Sequence, residues 1–370
     1  MAHLLTEALE QAVRDGVFPG AALLVQEGDA IRYCDAVGSA ALLPSPEPLG
    51  RETLFDLASL TKPLATATAV LQLVRQGVLA LKQPAARWLP EFRGDGKDQV
   101  TLYHLLNHSS GLPAWKPFYE TIDPNQAGSD EVKARLLDQV TREPLVQAPG
   151  KKSVYSDLGF IMLGIIIERA AGQPLDRWCR EQIFSPLAMP ATGFRPLERP
   201  ELAGRSIAPT EHCAWRGRLL RGEVHDEHSF ALGGVAGHAG LFAPIDDLGR
   251  FVGALIAADC GRPRGPFEGV PSPLLRQFLT RQPTPKSSWA LGWDTPSESS
   301  SSGRFFSSNS CGHLGYTGAS IWIDRERGWG VTLLTNRVHP TRLNVKIGAF
   351  RPLLHDLVAH TFFPPAATHL

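Results

Sequence analysis

Apolar positions recur with two different periods along this chain, and the change of period divides it. At the N-terminus Leu5, Leu9 and Val13 stand four apart among polar neighbours, which predicts an amphipathic helix. Two runs rich in strand-forming residues follow, Gly20 to Gln26 and Ile31 to Val37, on either side of Glu27-Gly28-Asp29-Ala30. They predict a hairpin. After a loop rich in Pro and Gly from Leu43 to Gly50, the period becomes helical near residue 60. A helix is expected from Ala65 to a stop at Gly77, and a short one from Thr101 to His108 ended by Ser109-Ser110-Gly111. A strongly apolar helix is expected from Leu158 to Ala171, closed by Gly172 and Pro174. Past residue 225 strands return: Ala319 to Asp324 and Trp329 to Thr335 surround Arg325 to Gly328 as a second hairpin. A last helix fits His355 to Phe362, and the Ser-rich stretch from Thr295 to Ser310 reads as a mobile loop.

Strands at both ends and helices between them most simply give an α/β (α+β) fold. The terminal strands form one antiparallel sheet flanked by helices, with a helical lobe inserted. The expected division is a discontinuous sandwich of residues 1–60 and 225–370, a mainly helical domain of 61–224, and a cleft between them.

Composition narrows the partners. With 370 residues the chain is long enough for a large core without disulfide or metal staples. The 43% hydrophobic and 20% charged content is ordinary for a globular protein. Thirty-seven basic residues balance thirty-seven acidic ones, so no basic footprint for nucleic acid exists. Purely apolar stretches, such as Phe160 to Leu163, are too short to span a bilayer, so no membrane partner is expected. The first residues lack the charged start, apolar run and small-residue cleavage site of a signal peptide. Five scattered cysteines (Cys34, Cys179, Cys213, Cys260, Cys311) include no C-x-x-C pair and read as reduced core thiols. A cytoplasmic location is the expectation.

The sharpest chemical signal is Ser59-Leu60-Thr61-Lys62 just before a helix. Pro63 is tolerated only in a first helical turn, so the helix begins near Ser59, where backbone N–H dipoles favour an alkoxide. Lys62, three residues on, shares the serine's face. Among Leu57, Leu60 and Leu64 its ammonium is expected to lose affinity for its proton by desolvation and so to serve as a base. Tyr155, in Val154-Tyr155-Ser156-Asp157 ahead of the most apolar helix, can relay a proton if it lies near Lys62. Cys311 to Gly318 leads into a strand, and its glycines allow close approach to a substrate, with an edge N–H to complete an oxyanion hole with that of Ser59. Gly233 to Gly240 is unusually dense in glycine and reads equally as a cleft wall or as a packing loop.

In their order these motifs resemble the serine β-lactamase and penicillin-binding-protein superfamily, in its class C-like and esterase branch. S-x-x-K stands at Ser59, a Y-x-N-like motif at Tyr155 and a K-T-G-like motif at His313. Leu105 to Leu112, Val224 to Glu227 with the Gly-rich turn, and Leu291 to Trp293 also look like that branch, so the resemblance runs from about residue 15 to 350. It implies Ser59 as acylated nucleophile, Lys62 and Tyr155 sharing the base and proton-relay role, and the backbone N–H groups of Ser59 and Tyr316 as oxyanion hole. Asp157, His313 and Gly315 would meet the substrate. Two departures stand out: Asp157 replaces an Asn, and His313-Leu314-Gly315 replaces Lys-Thr-Gly, removing a permanent cation and a hydroxyl that recognise a carboxylate. Hydrolysis of a neutral small-molecule ester or amide through an acyl-enzyme is therefore expected ahead of efficient β-lactam hydrolysis or D-amino-acid peptidase activity. A non-catalytic binding module on the same fold is the reading from another class. Which of Lys62 and Tyr155 takes the serine proton stays open, and no cofactor is implied.

Competing patterns are weaker. His225-Asp226-Glu227-His228 with His238 lacks the spacing of a helical H-E-x-x-H site, so no metal is expected and a polar loop is the simpler reading. Asn107 to Gly111 lacks the first glycine of a nucleophile elbow and reads as a helix stop. Trp115, Tyr119, Trp289 and Trp293 read first as core and second as pocket lining.

Overall fold

The computed structural model describes residues 3–363. Its central sheet has six strands, in spatial order Glu47–Pro48, Ala30–Ala41, Gly20–Glu27, Trp329–Thr335, Ser320–Asp324 and Cys311–Leu314, all pairs antiparallel. Strands from the two ends of the chain meet at its centre, where Leu23 faces Leu333 and Val25 faces Val331. Both expected hairpins are present, and the architecture is the mixed, helix-flanked antiparallel sheet anticipated.

Gly20–Glu27 is apolar at almost every position because both faces of the sheet are covered. Ala22 and Leu24 pack in the core that holds Leu248 and Val252 of the Ile245–Asp259 helix. Ala21, Leu23 and Val25 point the other way, onto Leu5 and Leu9 of the His3–Arg14 helix and Val358 of the last helix. Alternate side chains of one strand thus feed two cores. Each fully buried Leu or Val contributes about 1.5–3 kcal/mol.

The Asp157–Ala171 helix is capped by the Ser156 hydroxyl, which accepts from Gly159 N–H, and ends at Gly172 in the left-handed region. It is buried on nearly all sides, which explains its lack of polar periodicity. Among the described residues no single helix is long and apolar enough to cross a membrane.

Three expectations need correction. The last helix runs Ile347–Phe362, starting well before His355, because burial of Leu354, Val358 and Ala359 holds it together across Pro352. Thr295 to Ser310 is irregular but pinned: Phe306 is buried, Ser307 donates to Asp324, Arg304 pairs with Asp356, and Trp322 Nε1 donates to Ser301. Of the cysteines, Cys179, Cys213 and Cys311 are buried, Cys34 is half-buried, and Cys260 is exposed.

Candidate active site

The chain reaches Ser59 through a constrained turn. Ala58 has φ +46°, a left-handed conformation that costs a non-glycine residue about 1–2 kcal/mol. The buried carboxylate of Asp56 holds it there, accepting from Ala58 N–H at 2.8 Å and from His225 N–H at 2.6 Å. Burial pushes the Asp56 carboxyl upward, against those two hydrogen bonds. From Ala58 the chain enters a short 3₁₀ turn, then a wide π turn over Lys62–Ala67, and then the regular helix Thr68–Arg75. The expected helix is therefore present, but its start is overwound and then underwound around the serine and lysine. Such irregular turns recur at functional sites.

Three groups converge on one oxygen or its neighbour. Lys62 Nζ donates to Ser59 Oγ at 2.8 Å, and Tyr155 Oη donates to the same oxygen at 2.8 Å. Lys62 also donates to the His238 carbonyl at 3.1 Å and meets Asp157 Oδ1 at 2.7 Å. Its nitrogen lies 4.9 Å from the Tyr155 ring centroid. The Lys62 side chain is fully buried, yet its pKa is raised. Burial pulls it down, but the Asp157 carboxylate and the Tyr155 oxygen outweigh that. The expected lowering of Lys62 by desolvation is thus opposed, because Asp157 stands where its charge favours the ammonium. Tyr155 is raised by burial, with Lys62 opposing and Asp157 adding to the rise.

The aromatic face of Tyr155 is held by His108 and Trp289, whose ring centroids lie 4.6 and 5.2 Å away. His108 is buried, kept neutral by burial and the nearby Lys62 charge, and accepts from Ser156 N–H at 3.0 Å. The Asn107 to Gly111 segment does stop a helix, as expected, but it also positions this ring under Tyr155.

The facing wall is the strand Cys311–Leu314 and the turn after it. His313 is buried at the cavity, its Nδ1 2.8 Å from the Leu314 carbonyl. Burial, helped by the Lys62 charge, brings its pKa down to about 3, so it carries no positive charge at neutral pH. Gly315 lines the cavity, where the expectation puts it. A Cβ there would lie 2.4 Å from the Leu57 carbonyl oxygen, so this glycine also admits the protein's own serine turn. Thr317 Oγ1 donates to the Asp56 carbonyl at 2.7 Å and locks the two segments together. Ser59 and Tyr316 both line the resulting cavity, and among the described residues no acceptor takes the Tyr316 N–H.

The Gly233 to Gly240 turn fulfils both of its readings. Gly237 and Gly164 approach so closely that a Cβ on Gly237 would lie 2.2 Å from the Phe160 carbonyl. That packing presents the His238 carbonyl to Lys62. Of the four aromatics, Trp115 and Trp289 line the cavity, Trp293 is buried core, and Tyr119 packs on Trp215 and His228.

The cavity has a volume of about 610 Å³. Two arginines on its wall were missed in the sequence. Arg337 donates to the carbonyls of Tyr316, Arg342 and Asn344, and Arg351 to those of Gly315 and Ala319. Among the described residues neither has a carboxylate at ion-pair distance. Burial lowers Arg351 only to about 10, so it stays charged. Arg342, by contrast, is paired with Glu211 and Glu227. His225 meets Glu211 at 3.2 Å, Asp226 meets His238 at 2.7 Å, and one ligand atom each from Asp226, His228 and His238 lie within 4.8 Å of one another. The polar loop expected from the sequence is thus a set of side chains brought together by the fold.

The β-lactamase family model matches residues 5–352. The chain is 33% identical over 362 residues to the N-acetylmuramyl-L-alanine amidase of Bacillus subtilis (strain 168), covering 90% of this chain and 80% of that protein. It is 32% identical over 352 residues to a putative D-alanyl-D-alanine carboxypeptidase of Escherichia coli (strain K12), covering 87% and 79%. The octameric penicillin-binding protein homologue from Pyrococcus abyssi superposes with a TM-score of 0.72 at 21% identity, over 95% of this chain and 77% of that one. At that identity the likeness speaks for the fold.

Proposed function

We propose, from the premise that the chain belongs to the β-lactamase family, that it cleaves a compact, negatively charged amide through an acyl-enzyme on Ser59. The observation that carries the reading is the pair of 2.8 Å contacts to Ser59 Oγ from Lys62 and Tyr155. A binding module needs no such convergence. The amidase relative favours an amide over an ester.

In this reading Asp157 keeps Lys62 as an ammonium, so Lys62 steers charge and Tyr155 moves the proton. The reactive fraction carries Tyr155 as phenolate, stabilised by the ammonium beside it. Ser59 Oγ attacks the carbonyl carbon and gives its proton to Tyr155. The N–H groups of Ser59 and Tyr316 receive the oxyanion. Tyr155 returns the proton to the leaving nitrogen as the C–N bond breaks. Water then attacks the acyl-enzyme, its proton passing through Tyr155 to Ser59 Oγ, and the carboxylic acid leaves.

His313 lacks the cation of the family's usual lysine, and the sequence alone argued against carboxylate recognition on that ground. Arg337 and Arg351 supply unbalanced positive charge on the same wall, which favours an anionic substrate. The test is amine release from a small N-acyl amino acid and from its neutral carboxamide counterpart. The acid is expected to show a kcat/KM at least about tenfold higher. Preference for the neutral compound, or no amine from either, would refute the reading.

A further inference from the structure

Beside the serine centre, but making no contact with Ser59, lies a group of metal-type ligands that the proposed reaction does not use. Asp226, His228 and His238 each bring one ligand atom to within 4.8 Å of the other two. His228 and His238 are buried. No group among the described residues hydrogen-bonds either ring nitrogen of His228, and Nδ1 of His238 is equally without a partner. A buried imidazole with both nitrogens unmatched is destabilising by the desolvation of each, about 1–3 kcal/mol. A ligand for those nitrogens removes that penalty.

The backbone holds the three side chains in place before any ligand arrives. Asp226 caps the Glu227–Ala231 helix by accepting from Ser229 N–H at 2.7 Å, which sets His228 in the first turn. Ser229 Oγ donates to the Ala239 carbonyl at 2.9 Å, tying that helix to the turn carrying His238. Arg216 donates to the carbonyls of Val224, His225 and Asp226 and fixes the approach from the other side. Neighbouring ionisable groups are engaged elsewhere: Glu227 with Arg342, and His225 with Glu211. The rings of Trp115, Phe118 and Tyr119 stand 5.7 to 5.9 Å from His228 and supply an apolar surround.

We propose that Asp226, His228 and His238 form a binding site for one divalent transition-metal ion of the zinc type, open on the cavity side where Asp226 forms the wall. The donor set, two neutral imidazoles and a carboxylate, is one that zinc accepts with a fourth position left free. Ligand atoms around tetrahedral zinc stand roughly 3.4 Å apart, given bonds of about 2.0–2.1 Å. The 2.7 Å contact between His238 Nε2 and Asp226 Oδ1 opens as the ion takes the place of the proton between them, and rotation of the His228 ring, which no hydrogen bond among the described residues restrains, brings its nitrogen to the ion. The site is independent of the acyl-enzyme reading and survives if that reading fails.

Cobalt(II) is the probe. Protein stripped with a chelator is titrated with Co²⁺ while the visible d–d absorption is followed, and Zn²⁺ is then added in competition. Wild type and Ser59→Ala are both expected to bind one Co²⁺ per chain with the intense bands of a four-coordinate site, displaced by Zn²⁺. His228→Gln and Asp226→Asn are each expected to weaken binding at least about tenfold. The two variants guard against a single one failing to fold. The absence of a stoichiometric band in wild type, or unchanged binding in both folded variants, would overturn the proposal.

Discussion

At the Ser59 end of the cavity the buried ammonium of Lys62 meets the Asp157 carboxylate at 2.7 Å, whereas on the wall beyond Tyr316 the guanidinium groups of Arg337 and Arg351 donate to neutral carbonyls. Both places bury positive charge, and they treat it in opposite ways. Charge balanced by an adjacent carboxylate is suited to controlling where a proton resides, since small changes in that partner move the equilibrium. Charge left unbalanced on a cavity wall is suited to attracting an anion from solution, because no internal partner competes. The comparison teaches that the cavity wall carries positive charge even though His313 stands where the resemblance leads one to expect a lysine. In the proposed reading its charge is supplied by Arg337 and Arg351, from other elements of the chain.

The largest effect expected from breaking this arrangement comes at the balanced end. Lys62→Met removes the ammonium that stabilises a Tyr155 phenolate, and kcat should fall by about 10²- to 10⁴-fold in steady-state assays. At the unbalanced end Arg337→Gln should raise KM for an anionic amide by about tenfold and leave that for a neutral analogue unchanged. A fall in kcat for both substrates would instead make Arg337 part of the proton machinery and erase the distinction.

Asp157→Asn sharpens the comparison through pH. Asp157 raises the pKa of both Lys62 and Tyr155, so its removal lowers both. The rising limb of kcat/KM against pH should move to lower pH in the variant. A limb that stays in place would show that neither group governs it.

The smallest expected effect lies at the rim. Burial opposes ionisation of Glu211, but the hydrogen bonds from His225 and Arg342 win and lower its pKa from 4.5 to about 2. A depressed carboxylate contributes stability that is full above 4.5 and is lost as pH falls towards 2. Glu211→Gln should therefore lower Tm by a few degrees at neutral pH, roughly the effect of losing one charged hydrogen bond. The gap to wild type should close as pH falls through that window.

What the sequence revealed and what it hid follow from the range of the interactions concerned. Ser59, Lys62 and Tyr155 were legible because each sits at a recognisable junction, the start of a helix or the approach to one. The two terminal hairpins were legible because strand period and turn residues are local. Arg337 and Arg351 were not, since nothing near them in the chain marks them as neighbours of Tyr316. The Asp157 contact at Lys62 was hidden for a related reason. The lysine's apolar neighbours are local, but the carboxylate that overrides them is almost a hundred positions away. Asp56 had a local signal that went unused, a lone carboxylate in the apolar run Leu54 to Leu60. His108 lay in a segment that the sequence marks, Leu105 to Leu112, but its place against Tyr155 was not legible, because its left-handed backbone, φ +59°, is not encoded by a glycine.

Acylation of Ser59 is the central claim, and intact-mass spectrometry tests it most directly. Wild type and Ser59→Ala are exposed briefly to an activated acyl ester and followed over time. The account predicts a gain of one acyl group on wild type alone, decaying as water releases it. Equal labelling of the two proteins, or no label on wild type, would contradict it.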